Sequence, residues 1–195
     1  MDYLSKNEFM DSEFQMTVKT REVTLSVEEY LSRFRNAELF IKRCMECRNY
    51  NRNWSCPPYS HDIPAELRQY SHITITATTI TPKKKNLPLS EWNSIVGPER
   101  ERVEKHLLAM EKERGGRAFG FGGTCSYCPE DECTRPKGLP CRHPELVRPS
   151  LEAYGFDISK TLAELFDIEL VWGEEGFMPE YITLVSGCMF DKNIQ

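Results

Sequence analysis

The chain has no run of about 18 apolar residues, the length a membrane span needs, and the N-terminal Met1-Asp2-Tyr3-Leu4-Ser5-Lys6 lacks the charged and apolar regions of a secretory leader. No segment repeats at 20–50 residues, which excludes solenoid and propeller architectures. Only four histidines occur, and no GxSxG, P-loop, GxGxxG before a helix, HExxH or paired-carboxylate signature is present. The common hydrolase, nucleotide-binding and zinc-protease chemistries are therefore not expected. Excess positive charge is also missing: 25 basic residues face 30 acidic ones, a net of -5. Bulk attraction to nucleic acid or an anionic membrane is not expected from that balance.

What remains is ordinary globular material. The 195 residues are 39% apolar, 28% charged and 11% aromatic, which suits a single domain over 1–195 with a buried core. Eight cysteines are about 4% of the chain, below the roughly 8–10% of a disulfide scaffold. With no leader visible, the expected location is cytoplasmic. In that reducing setting clustered thiols are metal ligands or redox groups more often than cystines.

The pattern of elements predicts an α/β chain, with α+β as the alternative: a mixed β-sheet covered by helices. A strand is expected over 17–25, followed by a helix that Ser26 caps and Glu29 completes as a capping box. Tyr30, Phe34, Ala37 and Ile41 would form its single apolar stripe. A short helix is expected from Ile63 to Tyr70 and a strand from Ser71 to Ile80, where Ile73, Ile75, Ala77 and Thr79 alternate. Thr81 to Pro88, with Lys83-Lys84-Lys85, reads as an exposed connection. Pro98 suits the first turn of the next helix and Gly115-Gly116 its exit, with Val103, Leu107 and Met110 as an apolar seam. Arg117 to Gly123 reads as a strand, Ser159 to Phe166 as a helix, and Ile168 to Trp172 and Tyr181 to Val185 as two closing strands.

The chemistry lies in two cysteine-rich loops, 42–61 and 122–150. The first carries Cys44-x2-Cys47 and Cys56-Pro57-Pro58-Tyr59; the second carries Cys125-x2-Cys128, Cys133 and Cys141-Arg142-His143-Pro144. A two-residue spacer turns adjacent sulfurs toward one ion or cluster, and the longer arms let the other two close the shell. The segment from Gly122 to Ser150 has little periodic hydrophobicity and contains Pro129, Pro136, Pro140, Pro144 and Pro149. Loops beyond about 12–15 residues without structure are uncommon inside compact domains unless functional or organised by something; a bound metal would offset the ordering entropy.

Neither the bacterial ferredoxin spacing nor the paired knuckles of a zinc ribbon is matched. One contiguous four-cysteine loop preceded by Gly122-Gly123 favours a [4Fe-4S] cluster on Cys125, Cys128, Cys133 and Cys141, with zinc as the alternative. Cys44, Cys47 and Cys56 form a second metal site that lacks a fourth ligand. Cys188 would complete it and His61 is the other candidate; alternatively Cys188 is a core thiol and the site is incomplete or reactive. From Lys42 to His61 four basic residues, Lys42, Arg43, Arg48 and Arg52, face only Glu46, a net of +3. Such charge stabilises thiolates. Tyr50, Trp54 and Tyr59 interleave with those arginines, as stacking groups for nucleic acid do, but the patch is small and metal ligation ranks above that reading. His143 is a candidate hydrogen-bond donor to a cluster sulfur or a proton shuttle.

These two cysteine blocks, with Asn49-Tyr50-x3-Trp54-Ser55 in the first and Arg148-Pro149-Ser150-x2-Ala153-Tyr154-Gly155 after the second, resemble the prokaryotic predicted metal-binding family called domain of unknown function 2284. The resemblance runs from about Val27 onward. It implies metal binding, usually suspected to be iron-sulfur, at Cys44, Cys47, Cys56, Cys125, Cys128, Cys133 and Cys141, and it implies no particular reaction. The expected function is electron transfer to or from a redox partner protein. The alternatives are a zinc-stabilised interaction module and a metalloenzyme with an open position at Cys44, Cys47 and Cys56.

Overall fold

Alternating isoleucine and threonine over residues 72–82 give a strand with two usable faces, because β-branched side chains pack well on a pleated surface. A computed structural model describes residues 6–7, 15–123, 125–129 and 132–191. The expectations for Met1–Ser5 and for Thr124, Glu130 and Asp131 within the second loop fall outside those residues. The strands are β1 (Lys6–Asn7), β2 (Met16–Ser26), β3 (His72–Pro82), β4 (Arg117–Phe119) and β5 (Ile182–Phe190). They form one sheet in the order β1-β2-β3-β5-β4. The helices are α1 (Val27–Phe34), α2 (Ala37–Glu46), α3 (Ile63–Leu67), α4 (Trp92–Arg114) and α5 (Ile158–Phe166).

The chain thus has the expected α/β composition. The expected mixed sheet is corrected in one respect: among the described residues each strand pair runs antiparallel, and parallel pairing is confined to the isolated bridge Gly120–Ser150. The sheet separates two apolar clusters. Ile73, Ile75, Ala77, Phe119, Val185 and Met189 face α1, α5 and the turn around Tyr154. Ile80, Ala118, Ile182 and Leu184 face α4 through Ile95, Val96, Val103 and Leu107. Each fully buried isoleucine or leucine contributes about 1.5–3 kcal/mol relative to exposure. On the α4 face the buried hydroxyls of Thr74 and Thr76 are matched by Thr24 (2.8 Å) and Glu22 (3.0 Å) across the strand pair.

Several local expectations are revised. The helix capped by Ser26, which accepts from Glu29 N at 3.1 Å, stops at Phe34. Asn36 N donates to Gly155 O (2.8 Å) and Asp157 N to Phe34 O (2.8 Å), and Asn36 then caps α2 through Leu39 N. The apolar stripe is therefore broken: Tyr30 and Phe34 are buried, but Phe40 takes the place expected of Ile41, which is exposed. Pro98 lies inside α4, not in its first turn, because the burial of Ile95 and Val96 draws the preceding turn into the helix. β4 stops at Phe119, three residues into the expected strand, since Gly120 leaves to bridge Ser150. Ile168 to Trp172 is not a strand; Ile168 and Leu170 pack on the first cluster while Trp172 is 78% exposed. The last strand continues to Phe190 and takes Cys188 into the sheet.

Candidate metal centre

Cys44 occupies the last turn of α2 and Cys47 its C-cap, whose N–H reaches back to Cys44 O at 3.0 Å. The chain beyond is wound by successive turns, Tyr50 N to Cys47 O (3.0 Å), Arg52 N to Asn49 O (3.1 Å) and Cys56 N to Asn53 O (3.3 Å). Asn53 is buried, and its Oδ1 accepts from Ser55 N (3.2 Å) and Ser55 Oγ (2.6 Å). Asn51 adopts a left-handed φ of 56°, which asparagine tolerates, and this lets its N–H reach Pro57 O at 2.8 Å.

The second loop is closed at its base, where Gly120 N donates to Pro149 O at 2.9 Å. Arg148 then forks onto Glu111 of α4, Nε lying 3.0 and 2.8 Å from the two carboxylate oxygens. Buried Thr134 holds the interior by donating to Pro140 O (2.8 Å) and accepting from Trp54 Nε1 (3.2 Å). Arg135 stacks on the Trp54 ring at 4.5 Å and donates to Asn51 Oδ1 (3.1 Å) and Pro58 O. Two segments about 80 residues apart in sequence are thus packed side by side through three polar residues.

Between them lies a cavity of about 650 Å³ whose wall includes all four of Cys125, Cys128, Cys133 and Cys141. Arg48, Arg52, Lys137 and Arg142 share that wall, with Trp54, Tyr127 and His143. All eight cysteines are free thiols, so the arrangement of cystines that would defeat a metal site is not present. The side chains stop short of a closed shell: among the described residues no group of three or more histidine, cysteine, aspartate or glutamate side chains is arranged to hold a metal ion.

Three sulfurs already receive backbone amides from the residue two positions on. Asn49 N lies 3.5 Å from Cys47 Sγ and His143 N 3.4 Å from Cys141 Sγ, and Tyr127 N–H donates to Cys125. The His143 donor that reaches Cys141 is its backbone N–H, and the residue also lines the cavity. Such donors stabilise a thiolate over a thiol. Against them, burial pushes the Cys125 thiol up, and the neighbouring thiols Cys133, Cys141 and Cys128 push it further. Burial likewise raises Cys56 and Cys44, the latter helped by Cys56, Cys47 and Glu152. A set of mutually opposed thiolates with amide donors is what a multivalent cation relieves; the donor chemistry fits a thiolate-bound metal.

The two candidates for a fourth ligand at Cys44, Cys47 and Cys56 each have other partners. Cys188 is fully buried in β5, opposite Thr74 and Ala118 on the face toward α4, and burial pushes its thiol up to about 11, with Arg114 and Glu111 the charges nearby. His61 Nε2 is engaged by Glu66 Oε2 (2.8 Å) and Tyr154 OH (3.2 Å). Sequence spacing missed Thr134, Arg135 and Glu111, which carry no motif, and also Glu152. The Glu152 carboxyl is pushed up by burial, and its Oε2 is sealed from solvent with no hydrogen-bond partner.

No helix is long and apolar enough to cross a membrane among the described residues. Comparison with family models matches the family described as predicted metal-binding protein (DUF2284) over residues 14–190. The chain belongs to that family. Comparisons with curated proteins and with solved structures gave no match.

Proposed function

We propose that this member of a predicted metal-binding family is an iron-sulfur protein that passes electrons to or from a redox partner protein in a reducing compartment. Cys125, Cys128, Cys133 and Cys141 would hold a [4Fe-4S] cluster, and Cys44, Cys47 and Cys56 a second metal. The observation that carries the reading is the cavity on which all four thiols of one loop open, unpaired, with amide donors on two of their sulfurs. All-sulfur ligation also suits zinc, and the oxidised cluster is no more anionic than a four-thiolate zinc; the basic rim favours the cluster through its reduced state, which carries one negative charge more. Four thiolates around a cluster leave net negative charge, which Arg48, Arg52, Lys137 and Arg142 offset.

A bound cluster supplies one-electron transfer. The chain's own part is different. Tyr127 and His143 amides pull charge density from the Cys125 and Cys141 sulfurs and so favour the reduced state. Arg135 and Thr134 clamp the two loops together through Asn51 and Trp54. The exposed arginines Arg48, Arg52 and Arg142 and Lys137 present a positive rim to an acidic partner and raise the encounter rate in a salt-dependent way. Protein purified without oxygen should contain iron and acid-labile sulfide in equal amounts and give an electron paramagnetic resonance signal on reduction. A colourless product with stoichiometric zinc and no sulfide refutes the cluster.

A further inference from the structure

From Thr161 to Glu180 the sequence carries six acidic residues and no Lys, Arg or His, and the irregular stretch that joins α5 to β5 keeps large apolar side chains outside. Trp172 is 78% exposed and Phe177 45%, with Leu89 beside them at 52%. This stretch is not loose chain. Ile168 and Leu170 pack on the first apolar cluster and Met178 lies in the second. Tyr181 OH donates to Glu169 O at 2.7 Å, Phe177 N to Glu174 O at 2.9 Å, and Met178 N to Leu87 O and Leu89 N to Gly176 O, both at 2.8 Å. A Cβ at Gly173 would collide with Phe177 O, so the backbone closes on itself directly after Trp172. A segment pinned this way presents its indole already ordered, which lowers the entropy lost on binding, and tryptophan is among the commonest anchors of protein interfaces.

Charge selects what the anchor meets. Asp167, Glu169, Glu174 and Glu175 are exposed and have no ion pair among the described residues, and Glu180 has Lys85 at 3.2 Å. Such a surface repels nucleic-acid phosphate and anionic lipid and attracts a basic one, where Lys or Arg can lie on the indole face. This chain carries a basic surface of that kind. Arg48, Arg52 and Lys137 line the cavity of the cysteine loops with Trp54 and Tyr127; all three are exposed and also without an ion pair among the described residues. The acidic segment bonds to Lys85, Leu87 and Leu89, none of them in either cysteine loop, so each surface is left for another molecule. We propose that residues 167–181 dock on the basic rim of a second copy of this chain, with Trp172 as the anchor. The contact is head-to-tail, one surface meeting a different one, and it covers the cysteine cavity of one copy with the acidic segment of the next. The inference uses the charge and exposure of the rim and stands whichever metal the thiols hold. The acidic redox partner proposed above would compete with the copy for that rim.

Sedimentation velocity of the full chain, from micromolar to near-millimolar concentration, reads the association. Wild type should grow beyond the monomer with concentration and should dissociate as salt rises from about 0.01 to about 1 M, over which the screening length falls from about 30 to about 3 Å. Trp172→Ser should weaken the association about tenfold or more. Two charge-reversed chains, Glu174→Lys with Glu175→Lys and Arg48→Glu with Arg52→Glu, should each stay monomeric, since like charges then face each other. Mixed one to one they should associate again, because every acidic surface has a basic one to meet. Circular dichroism checks that each is folded, and Lys137→Glu replaces the arginine pair if that chain does not fold. A wild type that stays monomeric at low salt overturns the proposal. So does association that survives Trp172→Ser unchanged, that persists in either charge-reversed chain alone, or that the mixture fails to restore.

Discussion

Replacing Arg148 by methionine tests whether the second cysteine loop is held by the fold and not only by whatever its thiols bind. The Arg148 and Glu111 side chains are 14% and 18% exposed, and Glu111 also accepts from Ala118 N at 2.5 Å. Removing one partner of a fully buried pair costs about 3–5 kcal/mol, and an exposed pair is worth at most about 1 kcal/mol. Intermediate burial and a two-pronged contact place Arg148→Met at about 2 kcal/mol, which for a chain of this size is about 4–8 °C in melting temperature. In a cycle with Glu111→Gln the double variant should lose clearly less than the two singles together. Acid should erase the difference. Burial alone would raise the Glu111 carboxyl, but Arg148 and the Ala118 amide outweigh it and hold the group below its ordinary range. Its contribution is therefore present above the ordinary glutamate value of about 4.3 and is lost as pH falls through the lower folded value. Calorimetry from pH 7 to 3 would show the wild type and Arg148→Met curves converging below about pH 4. A shift under about 1 °C at pH 7, or strict additivity in the cycle, refutes the clamp.

Gly155→Ala should cost about 2–4 kcal/mol in urea unfolding, because a residue at φ 90° with its Cβ 2.8 Å from Ala37 Cα is both strained and clashing. Thr134→Val leaves the Trp54 N–H without its acceptor, at about 1–3 kcal/mol, and acrylamide should then quench Trp54 fluorescence more strongly. Cys188 should resist alkylation in the native protein at pH 8 and react on unfolding, since burial holds its thiol up at about 11; Cys188→Ala should keep the metal content of the wild type, and a loss of metal would restore it as a ligand. Chelation or oxidative loss of metal should leave the far-ultraviolet signal of the sheet nearly unchanged and confine new proteolytic cuts to 47–62 and 121–149; global unfolding on metal loss would show that the loops carry the fold.

The sheet and most helices were readable because their signals are local. β3 shows β-branched alternation, and α5 begins at Asp157, which caps Lys160 N at 2.9 Å. The break between α1 and α2 was not readable: Arg35-Asn36 contains neither glycine nor proline, and the helix ends there because Gly155 O and Asp157 N, some 120 residues away, compete for its backbone groups. Ile168 to Trp172 has strand-like residues, yet the sheet gives it no partner, so residue preference alone leaves it irregular. The thiols were legible because two-residue spacing is a chemical constraint written in the sequence. The contacts that join the two loops were not, since Thr134 and Arg135 meet Trp54 and Asn51 only through a tertiary approach that leaves no spacing in the sequence.

The two loops differ from those of small metal-folded modules in what holds them. Both ends of the second loop are tied by backbone pairing, Gly120 with Ser150 and Pro149, on a sheet that is already buried on both faces. Its interior is tied to the first loop by Thr134 and Arg135. The entropy of ordering these segments, about 1–2 kcal/mol per residue of backbone, is therefore met in part before any metal binds, and less of the metal's binding energy goes into folding. More of it is left for affinity. The same clamps tie the segment that carries Cys44, Cys47 and Cys56 to the one that carries Cys125, Cys128, Cys133 and Cys141. A loop ordered by its metal alone would have no such tie, and here the contact of Trp54, Thr134 and Arg135 joins the two cysteine-bearing segments independently of what their thiols bind.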